Sequence, residues 1–94
     1  MRFSFWPQPN QSFNVMNQLG HHVEQSGWDG IWLADHFMPN AEDTSAPLPE
    51  AWTTLAALAA SIPRIRLGTL VTGNTYRHPA VLAKMAATVD HISD

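Results

Sequence analysis

Cysteine is absent from the 94 residues of this chain. Its absence excludes a disulfide framework, a thiolate metal site and a cysteine nucleophile, and it leaves the redox compartment open. Basic residues are scarce as well, because the five lysines and arginines are scattered and form no stripe that could follow a phosphate backbone. We therefore expect no nucleic-acid partner.

Long apolar runs are also missing. No stretch approaches the roughly 20 residues that span a bilayer, and the chain begins with the strand-like Arg2-Phe3-Ser4-Phe5-Trp6 in place of a charged and then apolar signal region. These features predict a soluble protein that is not exported, has no membrane partner and is cytoplasmic. Apolar residues nevertheless make up 45% of the chain, which is enough for the core of one small domain segment covering residues 1–94.

The spacing of the apolar residues predicts three strands that alternate with three helices. We expect the strands at residues 3–6, 31–34 and 65–71. We expect the helices to begin after Ser12, at Pro49 and at Pro79. Gly27 should end the first helix in a left-handed conformation. The third helix should bury a stripe formed by Val81, Leu82, Met85, Val89 and Ile92.

Alternating strands and helices predict a parallel sheet with right-handed crossovers, which two architectures share. A doubly wound nucleotide-binding fold favours a glycine-rich turn after the first strand, but residues 6–12 contain neither glycine nor lysine. The pattern therefore favours an α/β fold of the (β/α)8 TIM barrel type, in which the site lies at the carboxyl ends of the strands. Because a full barrel takes ~250 residues, this chain would supply a βαβαβα portion only.

Asp35 and His36 follow directly after the second predicted strand and open a long loop over residues 35–48. His36 shares the parity of Trp32 and Ala34, so we expect its side chain to point into the barrel. An imidazole donates or accepts a proton near neutral pH, and the adjacent carboxylate can hold backbone or polar groups in place. The alternative is that Asp35 caps a turn and His36 is an ordinary hydrogen-bonded loop residue.

The third predicted strand also leads into polar residues that suit a ligand, among them Thr72 and Asn74. Gly68 within this strand indicates either a close approach of the backbone to a flat ligand or ordinary packing around the missing side chain. Tyr76 and Arg77 form either a phosphate or substrate clamp or a solvated turn.

Three tryptophans, Trp6, Trp32 and Trp52, could form a wall beside a ring system, although tryptophans in so short a chain more often fill a core. We take Trp6 and Asn74 as candidate substrate contacts. Possible metal ligands occur at Asp35, His36, Glu42, Asp43 and His78. Their spacing matches no ligand motif, so we expect no metal site.

Four blocks of the sequence resemble, in the same order, the amino-terminal third of bacterial luciferase-like flavin and deazaflavin oxidoreductases. The blocks are residues 28–37 (WDGIWLADHF), 64–72 (RIRLGTLVT), 77–80 (RHPA) and 86–93 (AATVDHIS). Members of this family are TIM barrels, so the resemblance implies the amino-terminal portion of such a barrel. The chain departs from the family by ending at Ser93-Asp94, where members continue through a Gly-Gly-Arg turn into a fourth strand.

In the deazaflavin branch, the resemblance implies that Asp35 and His36 lie at the coenzyme ring, with His36 near the hydride-transfer centre as the catalytic residue. It also implies a non-prolyl cis peptide bond in the third strand, at Leu70-Val71, which bends the ring system. The coenzyme-binding residues expected on this basis are Asp35, His36, Leu70, Val71 and Thr72.

The resemblance implies an oxidoreductase that transfers a hydride between the deazaflavin coenzyme F420 and an organic small-molecule substrate. Asp35-His36 before Phe37 favours this branch over the nearest alternative, a monooxygenase that uses reduced FMN and oxygen. We expect activity only when the carboxyl-terminal part of the barrel is also present. The protein partners expected are a complementing carboxyl-terminal barrel part or further copies of this chain in a homo-oligomer. The remaining alternative is a non-catalytic truncated fragment or interaction module.

Overall fold

The computed structural model describes residues 1–94 and contains the three strands and three helices in the order βαβαβα that the periodicity predicts. The strands are β1 (Ser4–Phe5), β2 (Gly30–Leu33) and β3 (Arg66–Thr69). The helices are α1 (Phe13–Gln25), α2 (Ala51–Ser61) and α3 (Pro79–Ser93). None of the helices combines the length and the apolar character needed to cross a membrane.

The three strands form one parallel sheet in the order β1-β2-β3. In its register Gly30 lies between Ser4 and Arg66, and Leu33 lies opposite Thr69. Asp29 joins the strands at their amino ends, because its carboxylate accepts from the Phe3 amide at 2.6 Å and its carbonyl from the Arg66 amide at 3.0 Å. The carboxyl ends of all three strands therefore meet at the opposite edge of the sheet.

The helices begin and end close to the predicted residues. Ser12 caps α1, with its hydroxyl accepting from the Val15 amide at 3.4 Å, and Gly27 follows the helix with a φ of 81°. α2 begins at Ala51 and not at the predicted Pro49, because Glu50 is its N-cap and its carboxylate accepts from the amides of Trp52 and Thr53. β3 is shorter than predicted, because it ends at Thr69.

One core lies between the sheet and the first two helices. Its buried members are Met16, Val23, Ile31, Leu33, Ala51, Leu55, Leu58 and Ile62. Ile31 and Leu33 both belong to it, so one face of β2 packs on the helices, as the alternation of the strand predicts. Trp32 lies on the other face, over Gly68 of the neighbouring strand.

The predicted buried stripe of α3 is wrong, because none of the residues of this helix is buried. Val81 and Ile92 are exposed, and Leu82, Met85 and Val89 are only half-buried. The physical reason is the position of the helix. α3 packs against α2, and β3 is the last strand of the sheet, so no further strand lies beneath the apolar side of α3.

Candidate functional site

The candidate site lies at the carboxyl edge of the sheet, where the segments after β2 and β3 are joined. The amide of Leu70 donates to the carbonyl of Leu33 at 2.8 Å, which continues the strand pairing one residue beyond β3. Asp35 and Thr72 follow within three residues of these paired positions. The register therefore brings the two predicted polar segments together, as expected for adjacent parallel strands.

Asp35 is a buried carboxylate with three donors. Its residue is 1% exposed, and its Oδ2 accepts from the Gly73 amide at 2.9 Å and from Arg77 Nη1 at 2.6 Å. Its Oδ1 accepts from Arg77 Nη2 at 2.8 Å, so the guanidinium binds the carboxylate in bidentate fashion. Burial alone raises the pKa of Asp35, but the hydrogen bonds from Arg77 and Gly73 outweigh it and hold the pKa below its ordinary value.

Arg77 joins Asp35 to a second carboxylate. Its Nη2 also donates to Oε1 of Glu50, the N-cap of α2. The hydrogen bonds that Arg77 donates to Asp35 raise the pKa of Arg77 above its ordinary value despite the burial of the guanidinium. Burial raises the pKa of Glu50, whereas hydrogen bonds from Thr53, Arg77 and Trp52 lower it, and the net shift is downward. All three groups are therefore ionised at neutral pH.

His36 lies next to this ion network but makes no hydrogen bond with it. Its side chain is exposed and makes no hydrogen bond with another residue of the chain. The structure therefore does not support the alternative in which His36 is a hydrogen-bonded loop residue. The exposed imidazole at the carboxyl edge is free to meet a ligand.

The segment after β3 has the backbone geometry that the family resemblance implies. The Leu70-Val71 peptide bond is cis, as expected. Leu70 and Val71 are exposed, the latter at 70%, and the hydroxyl of Thr72 is hydrogen-bonded to that of Thr69. Leu70 and Val71 therefore form an exposed apolar surface beside the buried carboxylate of Asp35.

The two candidate substrate contacts lie outside the network. Trp6 and Asn74 are both exposed, and neither side chain makes a hydrogen bond within the chain. Trp32 and Trp52 line a common cavity between β3 and α3 that does not include Trp6. The three tryptophans therefore do not form one wall.

Gly68 is explained by packing within the sheet. A Cβ atom on Gly68 would lie 2.1 Å from the indole ring of Trp32, so the glycine makes room for that ring. Of the two alternatives for Gly68, the structure supports packing around a missing side chain.

Sequence reasoning named Tyr76 and Arg77 as candidates but missed the contacts through which Arg77 holds the site together. Arg77 is neither a solvated turn residue nor free to clamp a phosphate, because its side chain is 9% exposed and is bound by two carboxylates. Phe37 stacks on Tyr76 with ring centroids 4.1 Å apart, and the Arg77 guanidinium lies 5.9 Å from the Phe37 centroid. The sequence signal for the Asp35–Arg77 pair was an acidic residue after β2 and a basic residue after β3, which are adjacent parallel strands.

Comparison with known proteins places these features in a family context. A family model described as luciferase-like monooxygenase matches residues 1–94. An F420-dependent glucose-6-phosphate dehydrogenase from Amycolatopsis mediterranei is 38% identical over 74 residues, which cover 77% of this chain and 22% of that protein. The chain spans about a fifth of the length of the curated relatives that it matches.

Two solved structures share the fold. The coenzyme F420-dependent tetrahydromethanopterin reductase from Methanopyrus kandleri superposes with a TM-score of 0.83 at 25% identity, covering 98% of this chain and 24% of that one. The monooxygenase RslO1 from Streptomyces bottropensis gives a TM-score of 0.81 at 26% identity, covering 99% of this chain and 30% of that one. The fold is the amino-terminal βαβαβα portion of a (β/α)8 barrel, as the sequence predicts.

Proposed function

Because the chain belongs to the luciferase-like monooxygenase family, we propose that it forms the catalytic edge of an oxidoreductase that transfers a hydride between coenzyme F420 and an organic small-molecule substrate. The observation that carries this proposal is the exposed imidazole of His36 beside the fixed carboxylate of Asp35. The relatives named as F420-dependent enzymes support the choice of coenzyme.

The residues at this edge fit a flat, largely apolar ring system. Leu70 and Val71 present exposed apolar side chains on either side of the cis peptide bond. They lie beside Thr72, whose hydroxyl is hydrogen-bonded to Thr69, and beside the buried Asp35. These residues would hold the coenzyme ring, with His36 at its edge.

Coenzyme F420, when bound in its reduced form, supplies a hydride, which is two electrons with one proton. The substrate takes up this hydride together with one further proton. We assign the donation of that proton to His36, because an imidazole can act as a general acid and this one is exposed at the site. Trp6 and Asn74, which are free of internal partners, contact the substrate.

A second candidate function keeps the same site. The similarity in fold to a monooxygenase supports this alternative, in which the site would use oxygen with reduced FMN in place of F420. Reduced F420 and reduced FMN differ in absorbance, so titration of a completed barrel that contains this chain with each coenzyme separates the two functions. Binding of FMN without binding of F420 would overturn the first proposal in favour of the second.

The test uses a chimera in which this chain replaces the matching segment of the Amycolatopsis mediterranei relative. We expect the chimera to transfer a hydride from glucose 6-phosphate to oxidised F420, the reaction in the relative's name and the direction in which His36 would accept the proton. His36→Ala should slow single-turnover hydride transfer by roughly 10²- to 10⁴-fold, as for the loss of an acid–base group. His22→Ala, on the exposed side of α1, is the matched control and should leave the rate unchanged. Wild-type transfer in His36→Ala at saturating coenzyme would contradict the assignment.

The same proposal predicts the behaviour of the 94-residue chain by itself. A ligand held by loops from several strands of a barrel loses most of its contacts when only three strands contribute. We therefore expect no F420 oxidation above background without a complementing barrel part. Steady-state turnover by the purified chain would refute this expectation.

A further inference from the structure

The ion network at the carboxyl edge connects three separate parts of the chain. Asp35 follows β2, Glu50 caps α2, and Arg77 ends the loop after β3. The guanidinium donates to both carboxylates, with distances of 2.6 and 2.8 Å to the two oxygens of Asp35. One buried side chain therefore fixes the relative position of two strand ends and one helix start.

The charges of this network do not suit a phosphate or another anionic ligand. The guanidinium of Arg77 faces the ionised carboxylates of Asp35 and Glu50, so the three side chains together carry a net charge of −1. Three N–H groups of the guanidinium donate to internal carboxylates, and the side chain is 9% exposed. The function of Arg77 must therefore be exerted on the protein itself.

We propose that Arg77 is the positioning residue of the coenzyme edge: through Asp35 it holds the loop of residues 70–74 in place relative to His36, an inference that rests on the proposed function. Asp35 is covalently next to His36, and its Oδ2 accepts from the Gly73 amide, one residue after Thr72. Asp35 therefore links His36, the proposed proton donor, to the loop of residues 70–74, which is proposed to bind the coenzyme ring.

The energetics of buried ion pairs favour a role in geometry. The desolvation of two buried charges offsets much of their attraction, so such a pair contributes little net stability compared with apolar packing. What it does provide is a defined geometry, because a guanidinium binds a carboxylate through two parallel hydrogen bonds. Lysine carries the same charge but lacks this planar fork, so Arg77→Lys keeps the charge and loses the geometry.

The first readout needs no coenzyme. In the 94-residue chain, hydrogen exchange of the Gly73 amide, measured by NMR, should be at least about 10-fold faster in Arg77→Lys and Arg77→Gln, as expected when a charge-assisted hydrogen bond is lost. Arg64→Gln is the matched control, since Arg64 also pairs with a glutamate but is 71% exposed and lies at the other end of the sheet. It should leave Gly73 exchange unchanged.

The second readout uses the chimera described above. Arg77→Lys should weaken the affinity for reduced F420 by roughly 2- to 30-fold, the range for residues that act on a site without touching its ligand. The transfer rate at saturating coenzyme should stay close to that of the parent chimera, because His36 is intact. Arg77→Gln should weaken the affinity more than Arg77→Lys does.

The outcomes separate the two proposals. Unaltered Gly73 exchange in folded Arg77 variants, or unaltered coenzyme affinity, overturns the positioning role. Failure of the parent chimera to bind F420 overturns the proposed function instead. If both Arg77 variants unfold, Glu50→Gln is tested instead, because it removes only the outer carboxylate. It should accelerate Gly73 exchange by a smaller factor than is expected for the Arg77 variants. No acceleration in Glu50→Gln overturns the positioning role.

Discussion

At the scale of single residues, the position of Asp35 is explained by its partners. A buried carboxylate without partners would be protonated or would destabilise the fold, because its charge loses the solvation of water. Here Arg77 and the Gly73 amide replace that solvation. The cost of losing either side of the pair is therefore larger than the net contribution of the pair itself.

The ion network makes the stability of the chain dependent on pH. The pKa values of Asp35 and Glu50 are lower in the folded chain than their ordinary values. The two carboxylates therefore stabilise the folded chain fully above the ordinary carboxyl pKa near 4. This stabilisation is lost as the pH falls through their folded-state pKa values. We expect urea unfolding, followed by tryptophan fluorescence, to show a free energy of unfolding that decreases below about pH 4.

Asp35→Asn should flatten this pH dependence, since the titrating group is removed. Glu42→Gln is the control, because Glu42 is exposed and its side chain makes no hydrogen bond or ion pair within the chain. An unchanged pH dependence in Asp35→Asn would contradict the assignment of the effect to the network.

Gly68 gives a second prediction at the residue scale. Gly68→Ala should destabilise the chain by about 1–3 kcal/mol, the usual cost of overpacking, because the new Cβ would collide with the Trp32 ring. The cost should be smaller in a Trp32→Phe background, which lacks the colliding part of the indole. A double-mutant cycle in urea measures this coupling, and additive effects would count against the packing explanation.

At the scale of elements, α2 and α3 have similar apolar composition but different surroundings. α2 contributes Ala51, Leu55, Leu58 and Ala59 to the buried set, whereas α3 contributes none. The difference follows from what each helix covers. α2 packs on the sheet, and α3 packs on α2 beside the free edge of β3.

Matched substitutions on the two helices should show this difference. Leu58 is 0% exposed, so Leu58→Ala should cost about 2–5 kcal/mol through lost burial and the cavity left behind. Val81 is 52% exposed, so Val81→Ala should change the free energy of unfolding by less than about 0.5 kcal/mol. A comparable loss in both variants, measured by urea unfolding, would show that α3 is buried in solution.

At the scale of the whole molecule, the sheet has two free edges. β1 and β3 each pair on one side only, and a groove of about 550 Å³ lies between β3 and α3. Unpaired strand edges offer backbone donors and acceptors to other chains. The sheet is therefore open to addition of further strands.

We expect this openness to cause association of the 94-residue chain into dimers or larger species, measured by sedimentation. The amides of Arg66 and Leu70 donate toward β2, so the alternation of a strand directs the Thr69 amide to the free edge. Thr69→Pro removes that donor and should reduce association, as proline does at edge strands. A monodisperse monomer for the unaltered chain would count against edge pairing.

The sequence by itself determined the order of the elements and the edge that carries the site. Periods of two and of 3.6 residues, the cap at Ser12, the left-handed Gly27 and the start at Pro79 are local properties, so they can be read without the fold. Parallel strands then place Asp35 and His36 at the same edge as residues 70–74. The family resemblance added the cis Leu70-Val71 bond.

Only the tertiary structure decided which side chains meet. Asp35 and Arg77 are 42 residues apart, and their pairing depends on the register of β2 against β3 and on the path of the loop. The same register places Trp32 over Gly68. α3 has an apolar pattern but no buried residue, because no strand lies beneath its apolar side. Local patterns specify which face of an element is apolar, whereas contacts between distant residues determine what that face packs against.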